Sequence, residues 1–229
     1  MKRIFITGTD TDAGKTTCAT ALIHALRKHS RQIVPLKPVA AGAETVVGQL
    51  RNADALQLME ACDIAVSINS YVRVNPFCFA PPIAPHIAAN QAGVTVNLAD
   101  LLQHTDVVAS SHGDILIIEG AGGWLVPLND TESLADYAQE AAAEVVLVVG
   151  MKLGCLSHAL LTAADIERRG LKLAGWIANQ PQGTAMSEYN ANIATLKQLL
   201  RAPCLGEIPY SPKANAGQLA DFLNVNSML

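Results

Sequence analysis

No stretch of this chain is long and apolar enough to span a bilayer. The apolar run at 144–150 ends in Gly150-Met151-Lys152. The opening Met-Lys-Arg-Ile-Phe-Ile-Thr-Gly places two basic residues before an apolar run. That run is far shorter than a secretory signal requires, and Gly8-Thr9-Asp10 halts it. Cysteine is sparse: five residues, an odd number with no Cys-x-x-Cys pair. A disulfide framework is therefore disfavoured, and free thiols in a reducing, cytoplasmic compartment are expected. Each cysteine is read as a small buried hydrophobe rather than a redox or metal group. Charge is thin as well, at 16% of residues, with a net value of −4. No Lys/Arg cluster offers a nucleic-acid surface, so neither nucleic acid nor membrane is an expected partner. Internal repeats, low-complexity tracts and linkers are missing too.

Apolar residues, in contrast, make up 50% of the 229. That is ample for a buried parallel sheet covered by helices, and the length fits one large domain over 1–229. Strand-like runs occur at 3–7, 32–36, 114–118, 144–149, 173–178 and 204–208. Their continuous apolar character predicts burial on both faces. Helix candidates lie at 15–28, 52–61, 83–91, 97–109, 133–142, 156–168, 185–200 and 215–223. Ser133 with Asp136 resembles a capping box, and Gly170 after Arg168 and Arg169 reads as a helix end. Such alternation predicts an α/β fold with a doubly wound, mostly parallel sheet and helices on both faces. Ligands in such folds sit at the carboxyl ends of the strands.

The first strand runs directly into Gly8-Thr9-Asp10-Thr11-Asp12-Ala13-Gly14-Lys15-Thr16-Thr17, where a helix begins. Strand, glycine-bearing loop and helix N-terminus are the context of a P-loop. Glycine permits backbone angles and approaches that a Cβ blocks. The loop amides then face phosphate oxygens, Lys15 brings a positive charge to the β/γ phosphates, and Thr16 offers a hydroxyl to Mg²⁺. The spacing is a variant, because the first glycine falls at Gly8 and Thr9 holds its usual position. The fold expectation is accordingly P-loop NTPase-like.

A second acidic element supports this reading. The run Ile115–Ile118 ends in Glu119, followed by Gly120-Ala121-Gly122-Gly123. A carboxylate there suits a second Mg²⁺ contact, although Glu replaces the more usual Asp. Pro38 takes the chain out of the sheet and leaves Lys37 at the same rim, a candidate to neutralise transferring charge. Asp54 alone reads as a first-turn acid favoured by the helix dipole. His86, after a proline-rich connection, reads as structural. The segment Lys152–His158 reads either as a second anion site of helix amides or as a simple capped turn. Asn179 ends a strand where its amide can meet a base edge, and Trp124 and Trp176 read as packing residues.

Together, Gly8–Thr16, Lys37-Pro38-Val39, Arg51-Asn52-Ala53-Asp54, Asn75-Pro76-Phe77 with Pro85-His86, Glu119–Trp124, Val149–Gly154 and Gly206–Pro209 resemble the dethiobiotin synthetase family. The motifs run in order along nearly the whole chain. The resemblance implies ATP-dependent closure of a ureido ring from 7,8-diaminopelargonate and CO₂, through a carbamate and a carbamic–phosphoric anhydride. It implies that Lys15 and Lys37 are catalytic, and that Thr16, Asp54 and Glu119 hold Mg²⁺. ATP would contact Asp12, Ala13, Gly14, Lys15, Thr16, Thr17, Asp54, Glu119, Gly120, Ala121 and Gly122, with Asn179, Pro209, Tyr210 and Ser211 at adenine. Substrate would meet Thr11, Lys37 and Ala41. In the implied homodimer the substrate lies at the interface, and Gly154, Cys155, Leu156, Ser157 and Tyr189 of a second copy hold its carboxylate tail. One position departs from the family: Ala41 stands where Ser or Thr is common, so a hydroxyl worth about 1 kcal/mol of hydrogen bonding is missing.

Two other classes compete. Partner-recruiting ATPases of the partitioning and septum-positioning type carry a second lysine near the start of the loop, where this chain has Thr9 and Asp10. Amidoligases acting on cobyrinic acid-type substrates usually add a glutamine-hydrolysing domain, for which 229 residues leave no room.

Overall fold

A computed structural model describes residues 1–229. The chain runs β1 (Lys2–Gly8), α1 (Lys15–Arg27), β2 (Ile33–Leu36), β3 (Val39–Ala40), β4 (Glu44–Val46), β5 (Gln49–Arg51), α2 (Ala53–Ala61), α3 (Ile68–Val74), β6 (Phe77–Cys78), α4 (Pro85–Gln91) and α5 (Leu98–Ala109). It continues with β7 (Ile115–Glu119), α6 (Leu134–Glu140), β8 (Glu144–Gly150), α7 (Cys155–Arg168), β9 (Leu173–Asn179), α8 (Tyr189–Leu199), β10 (Cys204–Ile208) and α9 (Ala216–Leu219). Six strands form one parallel sheet in the order β10-β9-β8-β1-β7-β2.

Strand periodicity divides the core between the two faces. Ile4 and Ile6 of β1 pack with α1 residues such as Leu22 and Leu26. Phe5, between them, faces the opposite layer with Leu116, Ile118 and Tyr137. Leu147, Val149 and Trp176 join α7 and α8 in a third cluster on that second side. All of these side chains are almost wholly buried, as the unbroken apolar strands predict.

β1 lies between β7 and β8; the chain leaves β1 toward β2 on one side, whereas it leaves β7 toward β8 on the other. The loops at its carboxyl end therefore splay apart and open a crevice. Two short sheets, β3 with β6 and the hairpin β4–β5, carry the chain over that rim.

The helix at 185–200 begins only at Tyr189, after Glu188 in the left-handed region, and the one at 83–91 begins at Pro85, its first helical residue. The segment 215–223 is a single turn, α9, followed by a 3-10 turn at Ala220–Phe222. The capping box at Ser133 and Asp136 is formed, and Gly170 adopts the left-handed conformation of a helix stop (φ 75°). Helix α3 and the β4–β5 hairpin are additions to the sequence-derived elements. No helix is long and apolar enough to cross a membrane.

Candidate functional site

The loop from Gly8 to Thr17 turns tightly where β1 ends. Asp10 accepts a hydrogen bond from the Thr11 amide at 2.8 Å and caps a 3-10 turn at Thr11–Ala13. Gly14 then takes φ 85°, and a Cβ placed on it would lie 2.1 Å from Asn179 Nδ2. Glycine is required there on both counts. Asn179 in turn donates to the Ala13 carbonyl at 2.9 Å. Thr9, at the variant position, accepts a hydrogen bond from the Gly150 amide through its hydroxyl and ties the loop to β8.

Above this loop opens a cleft of about 890 Å³. Its walls include Thr11, Asp12, Gly14, Lys15, Thr16, Thr17, Lys37, Ala41, Asp54, Ala121 and Gly122. One end is formed by Asn179, Pro209, Tyr210 and Ser211, the group expected at adenine. Most of the sequence-derived contacts therefore converge on one surface.

Charge is concentrated on the floor. Lys37, only 2% exposed, donates to Glu119 Oε1 at 2.7 Å and to the Gly120 carbonyl at 3.0 Å, and lies 3.2 Å from Asp54 Oδ2. Thr16 donates its hydroxyl to the same Glu119 oxygen at 2.9 Å. The other oxygen, Oε2, is buried and has no hydrogen-bond partner. Burial opposes the charge on Lys37, but the carboxylates of Glu119 and Asp54 outweigh it and raise its pKa. Burial likewise pushes Asp54 up, and the attraction of Lys37 reverses the effect, leaving it below its ordinary value. Lys15 lacks such direct partners. It curls over the carbonyls of Asp10 and Thr11 at 3.3 and 3.0 Å. Burial, aided by the positive charge of Lys37, lowers its pKa to about 8 despite Glu119, Asp54 and Asp12.

An orphaned carboxylate oxygen, a second carboxylate and a threonine hydroxyl are hard oxygen donors, the set that suits Mg²⁺. No group of three or more His, Cys, Asp or Glu side chains could hold a metal unaided. A cation bound here would need further oxygens, as phosphates and water provide in P-loop sites.

Three of the residues expected at ligand do not present a side chain to the cleft. Ala13 is turned into the core beneath Gly150, its carbonyl is taken by Asn179, and it does not line the cleft. Gly120 faces Phe5, where a Cβ would meet the ring at 2.8 Å, and its carbonyl serves Lys37. The Cys155 side chain is 1% exposed, packed with α7 and α8, and its amide is spent on the Lys152 carbonyl. Left-handed Gly154 as the helix cap turns it inward.

Gly154, Leu156, Ser157 and Tyr189 lie outside this chain's own cleft. They are neighbours of one another, since Leu156 and Tyr189 both pack against the cluster holding Cys155. The ion pair between Lys152 and Asp10 joins their loop to the P-loop.

Several residues are new to the site. Pro82, Ile83, Ala84 and Pro85 form one wall with Val126 and Pro127, and Gln180, Pro181, Pro212 and Leu219 extend the adenine end. The prolines at 81, 82 and 85 are a legible signal of a rigid segment, though not of its position. Asn75 fixes Lys37 from behind, donating to its carbonyl at 2.7 Å, while the Lys37 amide donates to Val74 at 2.8 Å. Trp176 is pure packing. Trp124 is packed too, but its Nε1 donates to Asp165 at 2.8 Å.

A family model described as an AAA domain matches residues 2–218. Among solved structures, MinD in the MinC:MinD complex of Aquifex aeolicus matches 98% of this chain and 88% of its own, with a TM-score of 0.58 at 17% identity. MinD of Pyrococcus horikoshii with Mg-ADP gives 0.58 at 17% identity over 99% and 88%. At such identity the likeness shows the P-loop NTPase fold alone. Curated relatives are far closer in sequence. The ATP-dependent dethiobiotin synthetase BioD of Pseudomonas aeruginosa (strain UCBPP-PA14) is 46% identical over 228 residues, covering 100% of this chain and 98% of that protein. That of Pseudoalteromonas translucida is 46% identical over 229 residues, with 100% and 99% covered. That of Vibrio vulnificus (strain YJ016) is 44% identical over 234, again with 100% and 99% covered. With its cleft, paired lysines and full-length kinship taken together, the chain belongs to the dethiobiotin synthetase family.

Proposed function

We propose that this chain is an ATP-dependent cyclo-ligase that forms dethiobiotin from 7,8-diaminopelargonate, CO₂ and ATP. One observation carries the reading beyond a generic nucleotide hydrolase: a second buried ammonium, Lys37, faces the P-loop lysine across the same floor. An amine of the substrate adds to CO₂ and loses a proton to give a carbamate. A carbamate oxygen attacks the γ-phosphorus, the bond to ADP breaks, and a carbamic–phosphoric anhydride results. The second amine attacks the carbonyl, phosphate leaves, and the ring closes. The first transfer joins two anions, so positioning and charge neutralisation dominate its barrier. Lys15 and Lys37 supply that positive charge from opposite sides. Mg²⁺, when bound, adds charge neutralisation at the phosphates, and Thr16, Asp54 and Glu119 are the residues to hold it.

Thr11 and Ala41 face the reacting end of the substrate in this reading. Without a hydroxyl at 41, the amines rely on backbone groups and on the proline wall. The adenine end is Asn179 with Pro209, Tyr210 and Ser211.

The carboxylate tail is assigned to a second copy of the chain. The amides of Leu156 and Ser157 open α7 and make no backbone hydrogen bond, which suits an anion. Leu153 and Leu161 beside them are 92% and 68% exposed, an apolar stripe suited to burial in a dimer. The five cysteines are all free thiols, in keeping with a cytoplasmic enzyme.

The test is turnover. Purified chain with diaminopelargonate, bicarbonate and Mg·ATP should release dethiobiotin and phosphate in equal amounts, and neither when the diamine is omitted. Folded protein that binds nucleotide yet makes no dethiobiotin would refute the assignment.

A further inference from the structure

We propose that in the nucleotide-free chain the Lys37 ammonium occupies the carboxylate cage that a divalent cation needs, so that the chain alone rejects free metal and accepts it only together with a polyanion. The proposal rests on the assignment of Thr16, Asp54 and Glu119 as metal ligands.

An ammonium has three N–H donors and no acceptor. Lys37 finds three oxygens around it: Glu119 Oε1 at 2.7 Å, the Gly120 carbonyl at 3.0 Å and Asp54 Oδ2 at 3.2 Å. Two hydrogen bonds and an ion pair therefore satisfy the ammonium, although the side chain is only 3% exposed. This is a finished cation site, filled by the chain's own cation. Two of the three oxygens belong to the carboxylates that would hold the metal. Thr16, the third metal candidate, spends its hydroxyl proton on Glu119 in the same arrangement.

The two carboxylates that would hold the metal are already matched by two ammonium groups, Lys15 and Lys37, with Asp12 further along the wall. A divalent cation added without an anion would bring two further positive charges beside two ammonium groups and would have to take the carboxylates that Lys37 already holds. A triphosphate reverses the balance. It brings the negative charge that admits a metal, and oxygens that give Lys37 an alternative partner.

The backbone of Lys37 is fixed while its side chain is not. Its amide is held by Val74 and its carbonyl by Asn75. Only the four-carbon stem can respond when the carboxylates are claimed. Lys37 is thus neutralised by Asp54 and Glu119 in the empty chain, and is released toward the reacting anions only in the loaded complex. Such an arrangement keeps the site from holding metal without nucleotide, and it sets the order of assembly.

The probe is Mn²⁺, with free ion counted by electron paramagnetic resonance during titration of the full chain. Wild type, Lys37→Met and Lys37→Gln are compared, each alone and with a non-hydrolysable ATP analogue. Gln retains hydrogen bonding without charge, and circular dichroism confirms the fold of each variant. Nucleotide-free Lys37→Met should bind Mn²⁺ at least about tenfold more tightly than wild type, with Lys37→Gln shifted in the same direction. With analogue present the difference should narrow to within about twofold. Equal affinity of wild type and both variants without nucleotide would overturn the proposal while leaving the metal site intact. Failure of Mn²⁺ to bind even with the analogue would remove the metal assignment and the proposal with it.

Discussion

Lys37 and Lys15 are both buried lysines on one cleft floor, yet their surroundings give them different roles. Lys37 is clamped by two carboxylates and keeps its charge at any working pH. Its loss should be felt in the transition state. Lys37→Ala is expected to lower kcat by about 100-fold or more while the affinity for Mg·ATP stays within a few-fold, measured by steady-state turnover and calorimetry. Near-normal kcat would take Lys37 out of the mechanism. Lys15 has only carbonyls for partners, and its pKa sits at about 8. Because this value is lowered, Lys15 in the empty site loses its charge as the pH rises through 8. Bound phosphates favour the charged form and pull the pKa back up. Nucleotide binding near pH 8 should therefore take up about half a proton, and affinity should weaken above that pH. Calorimetry in buffers of different ionisation enthalpy reads the uptake directly, and none would be seen if Lys15 kept an ordinary pKa.

The glycine-rich segment after β7 depends on neighbouring elements for its position. Trp124 at its end is tied to α7 through Asp165, which also takes hydrogen bonds from Arg168 and Arg169. Arg169 continues to Asp136, the partner of Ser133 in the capping box of α6. Burial raises the Asp165 pKa, but Arg169, Arg168 and Trp124 outweigh it and bring it from 3.8 to about 2. The network's stabilisation, about 2 kcal/mol, is therefore complete above the unfolded value of 3.8 and disappears as the pH falls through 2. Asp165→Asn should lose about that amount near neutral pH and show a shallower acid limb in urea melts across that window. A variant as stable as wild type would show that the network is only a surface arrangement.

At this scale the sequence is most readable. The six long strands are legible because unbroken apolar character has one cheap outcome, burial on both faces of a parallel sheet. Helix α3 is not legible. Ile68, Tyr71, Val72 and Val74 favour strand, and the capping box that starts the helix uses Ser70 in place of Glu or Gln. Tertiary packing of Tyr71 and Val74 against Ala55 and Met59 decides it. The P-loop is legible because its contacts are local. The Lys37–Glu119 pair is not, since it joins residues 82 positions apart. The inward turn of Cys155 follows from helix register after Gly154, a detail that residue types alone do not carry.

For the whole molecule, the separation between the cleft and the Gly154–Ser157 and Tyr189 group has a direct consequence. If each active site takes its phosphate machinery from one chain and its tail contacts from another, two different defects can be complemented. Lys37→Ala and Tyr189→Ala chains, unfolded together and refolded at equal amounts, should form mixed dimers in half of cases. Each mixed dimer has one intact site of two, so about a quarter of wild-type activity should return at subsaturating diamine. If every site is built from one chain, mixing would restore nothing.

The central claim is that one cleft gathers a triphosphate, a divalent cation and the diamine around Lys15 and Lys37. A crystal soaked with Mg²⁺, a non-hydrolysable ATP analogue and diaminopelargonate tests it most directly. The γ-phosphate should lie within hydrogen-bond reach of both lysines, with the metal on Thr16, Asp54 and Glu119 and the diamine beside Lys37. A nucleotide bound elsewhere, or a diamine remote from Lys37, would contradict the account.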